Sequence, residues 1–490
     1  MIMSFIEELD SKKFSRDIRF LFAAIILIGS LYSCSSSKYS DIERGNPFQF
    51  VPGLPEFRTA SIGLLNERDE AYINITTNVV YESLTYKFEN NYSLAVFSSE
   101  IRINEKNNGF NKVFNEVYEL NIQELKESDE NRYHTIIQNF NVKPGTYHIE
   151  QTITDMVSGK SFTLTDSATI PDPQQSEKNL TTIKLSAKNV NSVNPEYIPI
   201  TSYSIPSRND SLRFEFQITN NDTIEQPLTV QSRLLRFEAD SSAAIPIHFT
   251  NYSPSSIENR GIFLRNPSEI LDSSVRELDQ KGSIFMEFNY STPKRGNYRF
   301  EVQVTQGTDE TDEILYGARD FSIMTENYPE IISVQEMAEP LQYIMRESEF
   351  KNLMSISDPD SLKEAIDRFW LSNIQDMSVA RSTINLYYER VEEANKQFSS
   401  FKEGWKTDTG KVYILFGPPL YIQRAPNRMR WFYTHLRETS RYTFSFERDK
   451  SPNEAFPFSH YILDRNSRNY GIQHRQKQLW RSGRILTIRI

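Results

Sequence analysis

The sequence predicts a mainly β, multidomain protein: two β-sandwich domains, then a helical segment and a small α+β module at the C-terminus. Its 490 residues are too many for one ordinary hydrophobic core. Between about residues 46 and 326, short runs alternate apolar and polar residues, as half-buried strands do. After Tyr328-Pro329 the apolar residues instead recur every three or four positions, which is typical of amphipathic helices.

The N-terminus has the features of an export signal. A basic lead precedes an apolar run at residues 20–31, which is too short to span a bilayer and suits the core of a signal peptide. The run leads into Leu-Tyr-Ser-Cys at residues 31–34, which resembles a bacterial lipobox. Cys34 is the only cysteine in the chain, as a lipid anchor would require. We therefore expect a signal peptide over residues 1–33, lipidation of Cys34 and a tether over residues 34–45. The alternative is an uncleaved N-terminal anchor.

The two sandwich domains are predicted over residues 46–171 and 180–326, and the less regular stretch at residues 251–281 is interpreted as an insertion with a short helix. A segment near the end of the first, at residues 143–154, recurs at residues 294–305 with Lys, Gly, Tyr, Glu and Thr at equivalent positions. Each copy is followed by a polar hairpin and a last strand. This repetition predicts a duplicated β-sandwich. The alternative is chance recurrence of a common turn–strand pattern.

A helical lead-in is predicted over residues 330–403. Asp358 and Pro359 suit the cap and first position of a helix. A longer helix of about six turns follows, because its apolar residues repeat at alternating spacings of four and three. These stripe residues are Ala380, Ile384, Tyr387, Val391, Ala394, Phe398 and Phe401.

The C-terminal α+β module is predicted over residues 404–490, with an edge strand expected over residues 485–490. Gly404 is expected to end the long helix in a left-handed conformation. Thr407 and Asp408 would then fix a polar turn, and residues 413–416 would form a buried strand. The turn carries the sequence Gly-Trp-Lys-Thr-Asp.

This signature resembles that of the GWxTD-domain family of bacterial envelope proteins. The preceding helix also resembles the lead-in of that family, at Phe369-Trp370, Asn385, 388–391, Ala394-Asn395 and Phe398. The sequence departs from the family pattern at Thr409, where arginine is common. The resemblance implies an exported or lipid-anchored protein of unassigned biochemistry. It supplies no catalytic residues.

Charge is distributed unevenly along the chain. Residues 401–490 contain 17 Lys and Arg against 7 Asp and Glu, a net charge of +10. Because the whole chain has a net charge of −10, residues 1–400 have a net charge of −20. Either the basic module docks on the acidic body, or it meets an anionic surface.

The residues indicate no catalytic centre, no metal site and no cofactor. The acidic cluster at residues 309–313 is interpreted as a solvated hairpin tip rather than a calcium site. The candidate ligand- or partner-binding residues are Trp405, Thr407, Asp408 and Arg390. The competing interpretation of Asp408 is structural: it caps the turn and pairs with Arg390.

Taken together, the sequence predicts a lipid-anchored protein of the cell envelope, expected in the outer membrane. It would be a non-enzymatic binding or assembly module for an envelope protein or an anionic glycan. Export argues against a nucleic-acid partner. The alternative is a polysaccharide-active enzyme with its site at the turn of residues 404–408, although no second carboxylate is evident for glycoside hydrolysis.

Overall fold

The fold is described by a computed structural model. The chain divides into two compact units, residues 1–42 and 43–490, and all contacts below lie within the second. Cys34 and the predicted signal peptide lie outside the described residues. The described residues are 42–44, 51, 53–89, 92–106, 111–121, 133–173, 178–192, 195–220, 227–244, 261–264, 266–279, 281–306, 313–433, 442–448, 458, 460–465 and 467–488.

The first sandwich consists of two antiparallel sheets. One sheet has the order β2-β3-β7; the other has the order β4-β5-β8-β9, with β6 also paired to β5. A short 3-10 helix, Tyr81–Ser83, follows β3. The described strands between residues 42 and 170 are β1 (Ile42–Glu43), β2 (Phe57–Leu65), β3 (Ala71–Val80), β4 (Lys87–Glu89), β5 (Tyr92–Glu105), β6 (Asn111–Asn121), β7 (Tyr133–Asn141), β8 (Gly145–Asp155) and β9 (Ser161–Ile170).

The second sandwich also has two sheets. In one, β14 pairs with β10, β11 and β17, and β12 pairs with β11; the other has the order β19-β18-β15-β16, with β13 parallel to β19. Its strands are β10 (Asn179–Leu180), β11 (Lys184–Lys188), β12 (Ile198–Pro199), β13 (Ser204–Pro206), β14 (Ser211–Asn220), β15 (Leu228–Phe237), β16 (Glu269–Leu278), β17 (Gly282–Ser291), β18 (Gly296–Gln306) and β19 (Glu313–Met324).

The two sandwiches share the order of their main strands, in agreement with the predicted duplication. The order β9-β8-β5-β6 corresponds to β19-β18-β15-β16, and β2-β3-β7 corresponds to β11-β14-β17. The repeated segments form β8 and β18. In both, a buried tyrosine hydroxyl donates to a carbonyl four residues back: Tyr147 to Lys143 at 2.8 Å and Tyr298 to Lys294 at 2.6 Å. This tyrosine corner is a known feature of immunoglobulin-like sandwiches.

One strand of the second sandwich is absent from the sequence-based prediction. We expected residues 251–281 to be a less regular insertion, but Glu269–Leu278 is the regular edge strand β16. Nearly every residue of this strand is exposed, on both faces of the sheet. Without one buried face there is no alternation of apolar and polar residues by which to recognise a strand.

The C-terminal module combines helices with the antiparallel sheet β20-β21-β22-β23. Its strands are β20 (Tyr421–Ala425), β21 (Arg428–Phe432), β22 (Thr443–Arg448) and β23 (Tyr461–Leu463). Its α-helices are α1 (Val334–Ala338), α2 (Glu347–Met354), α3 (Pro359–Asn373), α4 (Met377–Phe398), α5 (Asp408–Phe416) and α6 (Ser467–Arg481). Its 3-10 helices are Glu339–Tyr343, Gly404–Lys406 and Arg484–Leu486. Among the described residues, no helix has the length and apolar character needed to cross a membrane.

Two helix predictions in this module are confirmed and one strand prediction is wrong. Asp358 caps α3, accepting from the Ser361 N–H at 2.9 Å, with Pro359 at the first position. The long striped helix is α4, which ends at Phe398 rather than beside Gly404. The edge strand expected over residues 485–490 begins instead as part of a 3-10 helix.

Tryptophans and tyrosines fill the core of the module. Trp370, Trp431 and Trp480 are almost completely buried. Tyr387 of α4 lies edge-on to both Trp370 and Trp480, with ring centroids 5.7 and 5.1 Å apart. Edge-to-face pairs of this kind favour one arrangement of the rings over others. They fix α3 and α6 against α4.

Hydrogen bonds and ion pairs connect the domains. The side-chain amide of Gln217 in β14 donates to the carbonyl of Leu65 at 2.6 Å and accepts from its N–H at 2.8 Å. Lys396 of α4 pairs with Glu56 beside the first sandwich at 3.0 Å. Because the Gln217 amide satisfies both polar groups of one buried backbone residue, it fixes the junction between the two sandwiches.

Candidate functional site

The signature segment folds as a 3-10 turn followed by a helix. Gly404–Lys406 forms the turn, and Thr407 is the N-cap of α5, its hydroxyl accepting from the Gly410 N–H at 3.0 Å. The strand expected at residues 413–416 is therefore wrong. Every residue of α5 is buried, so its apolar run has no exposed face to give a helical period.

Two glycines, one in the signature and one two residues after it, are required by close backbone packing. A Cβ on Gly404 would lie 1.9 Å from the carbonyl oxygen of Ala394 in α4. A Cβ on Gly410 would lie equally close, 1.9 Å, to the carbonyl oxygen of Gly404. The left-handed helix end expected at Gly404 is wrong, since this glycine is not among the residues with positive φ. Its role is to let the turn touch α4.

Trp405 is a buried packing residue. Its side chain is 4% exposed and lies edge-on to Tyr343, with ring centroids 6.0 Å apart. The Tyr343 hydroxyl donates to the Trp405 carbonyl at 2.8 Å, and the Trp405 N–H donates to the Asn395 Oδ1 at 3.2 Å. The residue thus joins the 3-10 helix Glu339–Tyr343 to α4.

Asp408 lies at the start of α5 and is bound by a partner far along the chain. Arg465 contacts both carboxylate oxygens, with Nη1 2.9 Å from Oδ2, and the Leu463 N–H donates to Oδ2 at 2.8 Å. Both side chains are almost fully buried. Burial by itself would raise the pKa of the Asp408 carboxyl, but Arg465 and these hydrogen bonds hold it below the usual value.

Arg390 does not pair with Asp408. Its Nη1 donates to the Ile414 carbonyl at 3.3 Å, and its guanidinium lies 5.2 Å from the ring of Trp480. The ion pair expected between Arg390 and Asp408 is therefore wrong. Arg465 was missed because a partner 57 residues away leaves no local signal in the sequence.

Further titratable groups lie near Asp408. Lys411 is 2% exposed. Burial and the neighbouring Arg465 lower the pKa of its amine to about 7, although Asp408 by itself would raise that pKa. Burial and Lys402 lower the pKa of His460 to about 4, so its imidazole is neutral near pH 7. No group of three or more potential ligands in the described part of the chain could hold a metal ion.

The four residues predicted to bind a ligand or partner are all engaged within the protein. Trp405, Thr407 and Asp408 are buried, and Arg390 is partly buried. Their contacts build the junction of α4, α5 and β23. Direct contact of these residues with a partner remains a prediction.

Two features near the signature are open to solvent. One is a cavity of about 630 Å³ between the second sandwich and residues 401–406. The other is the hairpin β20–β21, whose first strand is exposed at all five residues. Neither was predicted, because each depends on how distant segments pack.

Fold and site together define a mainly β, multidomain protein whose C-terminal α+β module is organised around a buried Gly-Trp-Lys-Thr-Asp segment. Residues 308–482 match the family model of the GWxTD domain, so this part of the chain is a GWxTD domain. No curated protein matches the sequence.

The chain is also distantly similar to solved structures. Red sea bream transglutaminase is 7% identical, with 56% of this chain and 32% of that chain covered and a TM-score of 0.18. A mutant of Salmonella alpha-2-macroglobulin is 11% identical, with 56% and 17% covered and a TM-score of 0.19. E. coli alpha-2-macroglobulin is 11% identical, with 55% and 16% covered and a TM-score of 0.17. The chain therefore spans less than a third of each neighbour. Similarity this low supports no functional argument.

Replacing Asp408 with Asn should destabilise the module. The substitution removes the charge that compensates the buried Arg465 guanidinium, and breaking a buried pair in this way costs about 3–5 kcal/mol. Urea unfolding followed by tryptophan fluorescence would measure it. Asp367→Asn is the control: it breaks the exposed pair with Lys363 and should cost less than about 0.5 kcal/mol. Equal effects of the two substitutions would contradict the structural role of Asp408.

Lys411 should make the free energy of unfolding rise with pH between about 7 and 10.5. Its pKa is lowered from 10.5 to about 7 in the fold, so the unfolded chain binds more protons in that window. The contribution to the slope is at most about 1.4 kcal/mol per pH unit. Lys411→Met should raise stability at pH 7 and flatten the profile.

Urea midpoints measured across this pH window would check the Lys411 prediction. Lys363→Met is the control, because it removes a half-exposed lysine of α3. Its profile should run parallel to that of the wild type. A Lys411→Met profile that also runs parallel would show that the buried amine does not titrate there.

Proposed function

We propose that this protein is a lipid-anchored, non-enzymatic component of the bacterial cell envelope, in the outer membrane. In this proposal it binds or assembles an envelope protein or a glycan through its GWxTD module, and the two sandwiches serve as a spacer from the lipid. The observation that carries the non-enzymatic part is the state of the signature itself. Its carboxylate, indole and hydroxyl are buried and occupied by contacts within the protein.

The anchor is proposed from the N-terminal sequence. The basic lead, the apolar run at residues 20–31 and the single Cys34 have the order of a bacterial lipoprotein signal. The membrane is therefore the first partner in the proposal, reached through the lipid on Cys34. The tether over residues 34–45 would separate the lipid from the first sandwich.

The state of Asp408 weakens the enzymatic alternative. A general acid or base must reach the proton that it transfers. The Asp408 carboxylate is 8% exposed, and both its oxygens are bonded to Arg465. Glycoside hydrolysis also needs a second facing carboxylate. Asp408 in this state gives no support to a polysaccharide-active site at residues 404–408.

The hairpin β20–β21 is the surface that we propose for a protein partner. Leu420, Tyr421 and Ile422 are 49%, 43% and 39% exposed, an unusual density of apolar side chains on an edge strand. Exposed apolar residues on an edge strand are typical of sites where another chain adds to a sheet.

The charge of the hairpin favours an acidic partner. Three exposed arginines occur along it, at positions 424, 428 and 430. Of these, only Arg428 has an acidic partner among the described residues, Glu447 at 2.8 Å. The net charge of +10 on residues 401–490 also favours an acidic partner.

Cys34→Ala should release the protein from membranes. Without the thiol no lipid can be attached, so the variant should move to the soluble fraction, or stay in the inner membrane if its signal peptide is retained. Fractionation of cells, with metabolic labelling by a fatty-acid probe, would measure it. Ser36→Ala is the matched control and should behave as wild type. A labelled Cys34→Ala protein in the outer-membrane fraction would refute the anchor.

A site-specific photocrosslinker at Gln423 in the hairpin should capture a defined envelope protein in intact cells. The matched control is the same crosslinker at Val117, an exposed position on edge strand β6 of the first sandwich. Adding Arg430→Glu should abolish the Gln423 product, because the charge opposite an acidic partner is reversed. Identical products from both positions, or none from Gln423, would remove the hairpin as the partner site.

A further inference from the structure

The cavity beside the signature has the size and position of a ligand site. It lies between the end of the second sandwich and residues 401–406 and encloses about 630 Å³. Small-molecule sites usually measure about 300–1,000 Å³ and are common at domain interfaces. The segment 401–406 includes the buried Gly404–Lys406 turn of the signature. The signature therefore fixes one wall of the cavity.

Positive charge is in excess around this cavity. Its lining includes four cationic residues, Arg236, Arg295, Lys402 and Lys406, against the two acids Glu238 and Glu403. Lys402 is buried and already bonded to the Ser242 carbonyl at 2.9 Å. The two arginines are the accessible cations, with side chains 38% and 46% exposed.

Arg295 is positioned by a buried carboxylate. Its Nη2 bonds Oε1 of Glu403, while Lys406 contacts Oε2 of the same carboxylate at 2.9 Å. Glu403 is 4% exposed, so this triad is fixed in the cavity wall. A guanidinium has five N–H donors, and the bond to Glu403 uses only one of its nitrogens. Held in this way, the Arg295 guanidinium can still bind an incoming carboxylate.

Arg236 lies close to the same point of the cavity. Its Nε is 3.4 Å from the position that a Cβ on Gly296 would take, and Gly296 directly follows Arg295. Its acidic neighbour, Glu269, is 3.6 Å away and 54% exposed, and such surface pairs contribute little. A ligand carboxylate can therefore replace Glu269 at small cost.

A buried hydroxyl also lines the cavity without a protein partner. Ser322 of β19 is 1% exposed, and its Oγ has no hydrogen-bond partner among the described residues. The oxygen is enclosed in the wall and is not open to a ligand. Phe237 and Phe401 also lie in the wall, each only 3% exposed, so the accessible part of the cavity is formed by its charged residues.

We infer that this cavity binds an acidic oligosaccharide, with ligand carboxylates on the exposed side chains of Arg236 and Arg295. Arginine binds carboxylates bidentately, which suits uronate groups. The inference rests on the proposed binding function and specifies the glycan class and its site.

Isothermal titration calorimetry of the intact, detergent-solubilised protein with trigalacturonate, an oligomer of three uronates, would test the inference. Maltotriose, the neutral probe of equal length, should bind at least tenfold more weakly. Arg236→Gln and Arg295→Gln should each weaken trigalacturonate binding at least tenfold, about 1.4 kcal/mol. Rising salt should reduce affinity in the wild type, because the contacts are ionic.

The matched control is Arg102→Gln, which breaks an arginine–glutamate pair of similar exposure on β5 of the first sandwich, outside both proposed binding sites. It should leave trigalacturonate affinity unchanged. Thermal unfolding of each variant would distinguish a loss of binding from a loss of folded structure. The ion-pair partner of Arg236, Glu269, is exposed, so Arg236→Gln should leave the fold intact. This variant therefore tests the site even if Arg295→Gln disturbs the contacts of Glu403.

Three results would overturn the inference. These are no heat with trigalacturonate, equal affinity for maltotriose, and equal loss in the Arg102→Gln control. Stronger binding of inorganic phosphate, lost in the same two arginine variants, would assign the cavity to phosphate instead and also overturn it. None of these results affects crosslinking from Gln423, so the proposed protein-binding function can stand or fail separately.

Discussion

Direct contact between backbones at Gly404 and Gly410 determines how the C-terminal module is assembled. Gly404 touches the carbonyl of Ala394, and Gly410 touches the carbonyl of Gly404, in each case where a Cβ would lie 1.9 Å away. Any side chain at either position would push α5 away from α4. Because α5 is buried on all sides, such a displacement would also disturb the sheet and α6 packed around it. The signature is in this sense a packing element.

That packing places charged groups where water cannot solvate them. Arg465 compensates the charge of Asp408, and the short segment around Leu463 carries both the arginine and a backbone donor to the same carboxylate. A buried pair of this kind adds little net stability, because desolvation offsets most of the attraction. Its effect is to permit one register of β23 against α5, since any other would leave a buried charge unpaired.

The same geometry separates structural residues from those available for binding. Trp405, Thr407 and Asp408 face the interior, whereas Lys402, Glu403 and Lys406 of the same segment line the cavity against the second sandwich. The exposed hairpin β20–β21 lies beyond the signature in sequence and presents arginines and apolar side chains. In both proposals the residues that would contact a partner or a glycan lie around the signature rather than within it.

The sequence alone determined the features that depend on neighbouring residues. Four features were predictable, because each follows from local geometry or one buried face. They are the alternation of the sandwich strands, the repeat that contains Tyr147 and Tyr298, the cap at Asp358 and the stripe of α4. Tertiary structure decided the rest. Residues 413–416 are helical because surrounding elements bury every side chain, which erases the periodicity that distinguishes a helix from a strand. The partner of Asp408 is Arg465 rather than Arg390, and only the folded chain brings two residues 57 positions apart into contact.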